Sequence, residues 1–165
     1  MFNVGDSLVY PTQGLAVVEA IEAKEIMGEP SRFYVLKMIN RNMSVMVPTD
    51  NAEKIGLRPI IVPREVDKVL EVLSSEPVEH KSSYWHHRYN DNYQKLKSGC
   101  IFQTAEVIRD LNSLRERKKL AVKETRMIDN AKQLLVNEIA YAKGVEVEDA
   151  QALVEVALTH QHQPA

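Results

Sequence analysis

The sequence predicts an α+β protein in two parts, a small β barrel over residues 1–60 followed by an all-helical bundle over residues 61–165. Two observations carry that expectation. Apolar residues alternate with a period of about two as far as Leu57, then recur with a period of 3.6 after Pro63. Turn-forming residues cut the first part into short segments.

In the first part the segments SLVY, GLAVVEAI, RFYVLKMI and MSVMVP are rich in Val, Ile, Tyr and Phe and read as strands. Gly5-Asp6, Pro11 to Gly14, Gly28 to Pro30 and Asn40 to Asn42 separate them, supplying the positive or fixed φ angles that tight connections need. Four or five strands in under about 60 residues make a poor open sheet, so a strongly twisted barrel is expected. MSVMVP has the character of an edge strand, and Pro48, lacking an N–H, limits how far a partner strand can pair along it.

The helical part begins at Pro63, which suits a first helical turn, with Val66, Val69, Leu70 and Leu73 on one face. A second helix is expected within Ser83–Ser98, where Trp85, Tyr89, Tyr93 and Leu96 recur at helical spacing and Gly99 provides a left-handed stop. Phe102–Arg115 follows with Ala105, Ile108, Leu111 and Leu114 inward. Lys123–Ala142 carries Met127, Ala131, Leu134, Leu135 and Ile139 on one face and ends at Lys143-Gly144. A final helix over Glu148–Leu158 buries Ala150, Leu153, Val154 and Ala157 and has acids at its start, where the helix dipole favours them. The tail THQHQPA is expected to fray.

Composition narrows the chemistry. The chain is 44% hydrophobic and 27% charged, as globular proteins are, with no apolar run near the ~20 residues needed to cross a bilayer and no signal-like N-terminus. A cytoplasmic protein without membrane partners is expected. The lone Cys100 can form neither an internal disulfide nor a cysteine-based zinc site, and reads as a small buried hydrophobe. No phosphate loop, dinucleotide fingerprint, zinc-protease helix or nucleophile elbow is present, so neither catalysis nor a cofactor is expected. His86 and His87 are adjacent and point about 100° apart on a helix, which makes them poor joint metal ligands even with His80 nearby.

A net charge of −2 gives no global attraction to nucleic acid, so any such role must rest on local clusters. Lys81, Arg88, Lys95 and Lys97 stand against the single acid Asp91, and Arg115, Arg117, Lys118, Lys119, Lys123 and Arg126 against Glu116 and Glu124. The first cluster surrounds the only tryptophan.

The succession VGDSLVYPTQGLAVVEAI, YVLKMINRNMSVMVPTDNAEKIGLRPI, YWHHRYNDNYQKLKSG, AEVIRDL and RMIDNAKQLLVNEIA, from Phe2 to Leu158, resembles the CarD/CdnL family of bacterial RNA polymerase-binding transcription factors. The resemblance implies a Tudor-like barrel that binds the polymerase β subunit, similar to one in the transcription-repair coupling factor. It also implies a helical domain that contacts promoter DNA at the upstream edge of the bubble. The family's minor-groove wedge falls on Trp85, and the basic residue three positions later on Arg88. With them, Tyr89, Lys95, Lys97, Lys123 and Arg126 are the expected DNA-binding residues, and Lys24, Val45, Met46, Val47 and Pro48 the expected polymerase-binding residues. The sequence departs from the family pattern at Met46 and Asn90, where relatives often carry a basic residue. A monomer, associated with the nucleoid through polymerase, is expected.

Two other readings compete. Trp85 could be a core residue in a protein–protein adaptor that touches no DNA, or His80, His86 and His87 could serve a small metal enzyme.

Overall fold

A computed structural model describes residues 1–39 and 41–160, and its chain separates into two compact units, Met1–Ile60 and Ile61–Ala165. Asn40, in an expected turn, and His162, in the tail, lie outside the described residues.

The first unit is an antiparallel five-stranded sheet built from β1 (Ser7–Tyr10), β2 (Gly14–Ile26), β3 (Glu29–Met38), β4 (Ser44–Pro48) and β5 (Arg58–Pro59). Their order is β4-β3-β2-β1-β5, so the ladder stays open, with β4 and β5 as its edges. A 3-10 turn at Thr49–Asn51 and the short helix α1 (Ala52–Ile55) follow β4. Leu8, Ala16, Val18, Tyr34, Leu36, Met38, Val47, Ala52 and Leu57 form the core of this unit.

The β2–β3 hairpin extends further than the hydrophobic alternation predicts. Pairing continues from Ile21↔Tyr34 to Ile26↔Glu29 through residues that are largely exposed. The two-residue turn explains how it closes. Met27 and Gly28 both have positive φ, 51° and 82°, the combination whose twist matches that of the strands it joins. A register shift at Val18/Ala20 lets β2 change direction before it enters this solvated stretch.

The second unit contains α2 (Pro63–Ser74), α3 (Trp85–Lys97), α4 (Ile101–Arg117), α5 (Val122–Lys143) and α6 (Val147–Thr159). Pro63 opens α2, and the Glu65 carboxylate accepts the N–H of the N-cap Val62 at 3.3 Å. Gly99 has φ 81° just past α3, the conformation an L-residue with a Cβ resists. One apolar cluster joins Val66, Val69 and Leu73 of α2 to Ala105 and Ile108 of α4, Leu135 and Ile139 of α5 and Val154 of α6. A second, of Val107, Leu111, Leu120, Met127 and Ile128, lies where α4 meets α5.

Candidate nucleic-acid and protein interfaces

The inward face of α3 is polar, which its aromatic spacing does not predict. Its two buried residues are Arg88 and Asn92. Tyr89 and Leu96 pack only partly against the α4–α5 cluster, and Tyr93, on the same stripe, is 43% exposed. Trp85 is half-buried and belongs to none of the apolar clusters. The aromatic stripe therefore runs along the flank of the helix.

On that flank the rings form a continuous series. Trp85 lies 3.8 Å from the His86 ring at an interplanar angle of 30° and meets Tyr89 edge-on at 6.2 Å. Tyr89 is in turn nearly parallel to Tyr93 at 6.4 Å, and the exposed Tyr84 lies 4.7 Å from His86. Lys123, from the first turn of α5, holds its ammonium 5.8 Å from the centre of the Tyr89 ring.

Arg88 is not part of this surface. Expected beside Trp85 as a phosphate ligand, it is buried and clasps the fully buried Glu124, Nε to Oε2 at 2.5 Å and Nη2 to Oε1 at 2.7 Å. Position 88 lies only about 60° round the helix from Trp85, and the cause is the partner: Glu124 of α5 offers a buried carboxylate in bidentate reach. This clasp fixes α3 against the first turn of α5 and so brings Lys123 over Tyr89.

The remaining expected cations divide into paired and solvated groups. Lys95 donates to Glu106 at 3.2 Å, whereas Lys97, Lys123 and Arg126 are exposed with no carboxylate partner among the described residues. Arg115 pairs with Asp129, and Arg117 with Glu79. That last guanidinium holds the Glu79 carboxyl below the usual glutamate range, first by hydrogen bonding and then by its charge.

The segment leading into Trp85 is tied down residue by residue. Arg109 donates to Ser75 Oγ at 2.9 Å, the Val78 N–H to Asp110 at 3.0 Å, and Arg117 holds Glu79. His80 Nδ1 accepts the Ser82 N–H at 3.0 Å while its Nε2 lies 2.6 Å from Asp91, and Ser82 Oγ accepts the Tyr84 N–H at 3.2 Å. His80 is thus half-buried within this network. Sequence patterning missed the network because its members are polar residues scattered from Ser75 to Arg117, without a shared period. Cys100, expected to be buried, is half-buried as the N-cap of α4. No cluster of three or more potential metal ligands exists among the described residues.

In the sheet unit, Lys24 and Met46 meet. Lys24 Nζ lies 3.6 Å from Met46 Sδ, on the face of the β2–β3–β4 ladder opposite the core, with Glu22 3.8 Å away. Met46 is 40% exposed on the edge strand β4. Val45 and Pro48 are half-buried, but Val47 is only 2% exposed and belongs to the core, which removes its side chain from the expected contact surface. Alternation along β4 leaves Ser44, Met46 and Pro48 facing away from that core.

Residues 2–61 match the family described as the CarD-like/TRCF RID domain, and residues 68–155 match the CarD C-terminal domain. The chain is also 35% identical over 145 residues, 88% of its own length and 94% of the relative's, to a protein of Bacillus subtilis (strain 168) named "Putative transcription factor YdeB". With both units matched in order and a relative aligned across nearly the whole chain, the protein belongs to the CarD/CdnL family.

Proposed function

We propose that this CarD/CdnL protein is a non-enzymatic transcription factor that attaches to the RNA polymerase β subunit through the β4 edge and steadies the open promoter complex through α3. One observation carries the DNA half of this reading: the only tryptophan stands outside the apolar clusters of its unit, at the head of a partly exposed run of aromatic rings with a cation over one of them. Such a surface suits a partly unstacked base step, because an apolar ring supplies the stacking partner that the displaced base no longer offers. Trp85 is the wedge, Tyr89 its neighbour, and Lys97, Lys123 and Arg126 are the cations available to phosphates. Lys95, shared with Glu106, contributes less. Arg88 acts indirectly, by holding Lys123 in place through Glu124.

The polymerase half rests on the edge strand. β4 has one free side for strand addition, and the adjoining Met46 and Lys24 offer an apolar tip beside a cation. Tethering compensates for weak intrinsic DNA affinity by raising the local concentration of α3 at the fork. Preference for melted over closed DNA then shifts the promoter equilibrium by the difference between the two affinities.

Capture of purified β subunit by the full chain tests the tether. Lys24→Glu and Met46→Glu should each weaken capture while leaving the thermal transition of the helical unit unchanged. Undiminished capture by both variants moves the contact off this face.

A further inference from the structure

A cavity of about 680 Å³ lies between the Ser75–Tyr84 segment, α3 and α4, on the side of α3 away from the exposed aromatic run. Its wall includes Asn92, which is 8% exposed and whose side-chain amide has no hydrogen-bond partner among the described residues. Buried amides are nearly always bonded, and each exception calls for a physical explanation. Pro77, Leu111 and Leu114 give the same cavity apolar surface. Its charges are mostly settled internally: Arg88, Lys95 and Arg117 are bound to carboxylates, Asp110 to Arg109, and Asp91 to His80. Lys81, exposed and on the cavity wall, has no carboxylate partner among the described residues, and the exposed Lys118 on the same wall meets Glu79 only through its charge.

From this juxtaposition we propose that the cavity binds an adenine nucleotide, with the Asn92 amide reading the base and Lys81 and Lys118 holding the phosphate. The amide offers one acceptor and one pair of donors side by side. It matches an edge that also presents a donor next to an acceptor, as N6 and N7 of adenine do. Leucine and proline side chains suit the faces of a planar base, and the volume lies within the range of small-molecule sites. The same chemistry has two sources, a free mononucleotide or an adenine extruded from a DNA strand. The site requires neither polymerase nor Trp85, so it stands or falls separately from the function proposed above.

The test uses the full chain in solution. Adenosine monophosphate should shift the Asn92 side-chain amide resonances saturably, and ribose 5-phosphate, which lacks the base, should not. Asn92→Leu should weaken adenosine monophosphate binding by about tenfold or more. It should also raise the melting temperature of the free protein, because it removes an unbonded buried amide. Lys81→Glu with Lys118→Glu should weaken adenosine monophosphate but spare adenosine. Fork DNA with an unpaired adenine binding more tightly than the mononucleotide, and losing that advantage in Asn92→Leu, assigns the site to an extruded base; equal or weaker binding assigns it to a free nucleotide. Absence of the amide shift in wild type overturns the proposal, as does adenosine monophosphate affinity unchanged in Asn92→Leu. Should that variant fail to fold, the wild-type resonances decide alone.

Discussion

Arg88 and Trp85 are three positions apart on one helix, yet the protein uses them in opposite ways. The guanidinium faces inward to a carboxylate with no solvent exposure, while the indole stays at the surface. Removing one member of a buried pair leaves the other charge stranded, so Arg88→Ala should lower unfolding stability by roughly 3–5 kcal/mol. Arg88→Met combined with Glu124→Leu should cost much less, since neither charge remains. Urea denaturation of the three proteins checks both statements, and a single variant of normal stability but poor fork binding would return Arg88 to the DNA surface. Trp85→Ala should behave in the reverse manner. It should change stability by under about 1 kcal/mol while losing about 1–3 kcal/mol of stacking at the fork, read as faster decay of open complexes. The sequence placed the tryptophan at the start of a helix because its spacing with Tyr89 and Tyr93 is visible. It could not orient Arg88, because nothing local announces that a glutamate 36 residues later will be buried opposite it.

Among the elements, the Ser75–Tyr84 connection is the least legible in sequence and among the most constrained in structure. Apolar periodicity located α2, α4, α5 and α6 to within a few residues, since each buries a stripe of side chains against its neighbours. It said nothing of a polar segment held by Arg109, Asp110, Arg117 and Asp91. It likewise stopped β2 near Ile21, because beyond that point the hairpin is solvated and its signal lies in the turn at Met27-Gly28. One tie in the connection responds to acid. The Glu79 carboxyl is depressed in the folded protein by Arg117, so the unfolded chain takes up its proton at higher pH than the folded one does. The contribution of this pair is therefore present above the ordinary glutamate range and is lost as pH falls through the lowered folded value. Amide protection factors near Glu79, corrected for the intrinsic pH dependence of exchange, should fall over that acid interval and stay flat above it. In Arg117→Gln that fall should be largely lost, because the folded carboxyl no longer binds its proton differently from the unfolded one.

For the molecule as a whole, the division into Met1–Ile60 and Ile61–Ala165 also divides the apolar clusters, one in the first unit and two in the second. A core that draws no residue from the other unit should sustain its own cooperative transition. Fragments 1–60 and 61–165 should each unfold cooperatively, and Val47→Ala should destabilise only the first, by roughly 1–3 kcal/mol. A shift of the helical transition by that substitution, measured in the full chain, would show that the cores are energetically joined. The change of hydrophobic period near Pro63 made this boundary visible in the sequence, whereas the open ladder of the sheet was not, because strand order leaves no periodic trace.

The edge strand β4 also bears on self-association. An exposed edge that can accept a partner strand can equally accept a strand of another copy, and long flat edges seed fibres for that reason. Here the edge is five residues long, ends in a proline without an N–H and presents Met46 beside a lysine. A second copy docking on it runs out of donors within a few residues. The feature that offers a short foothold to one partner thereby limits growth into aggregates.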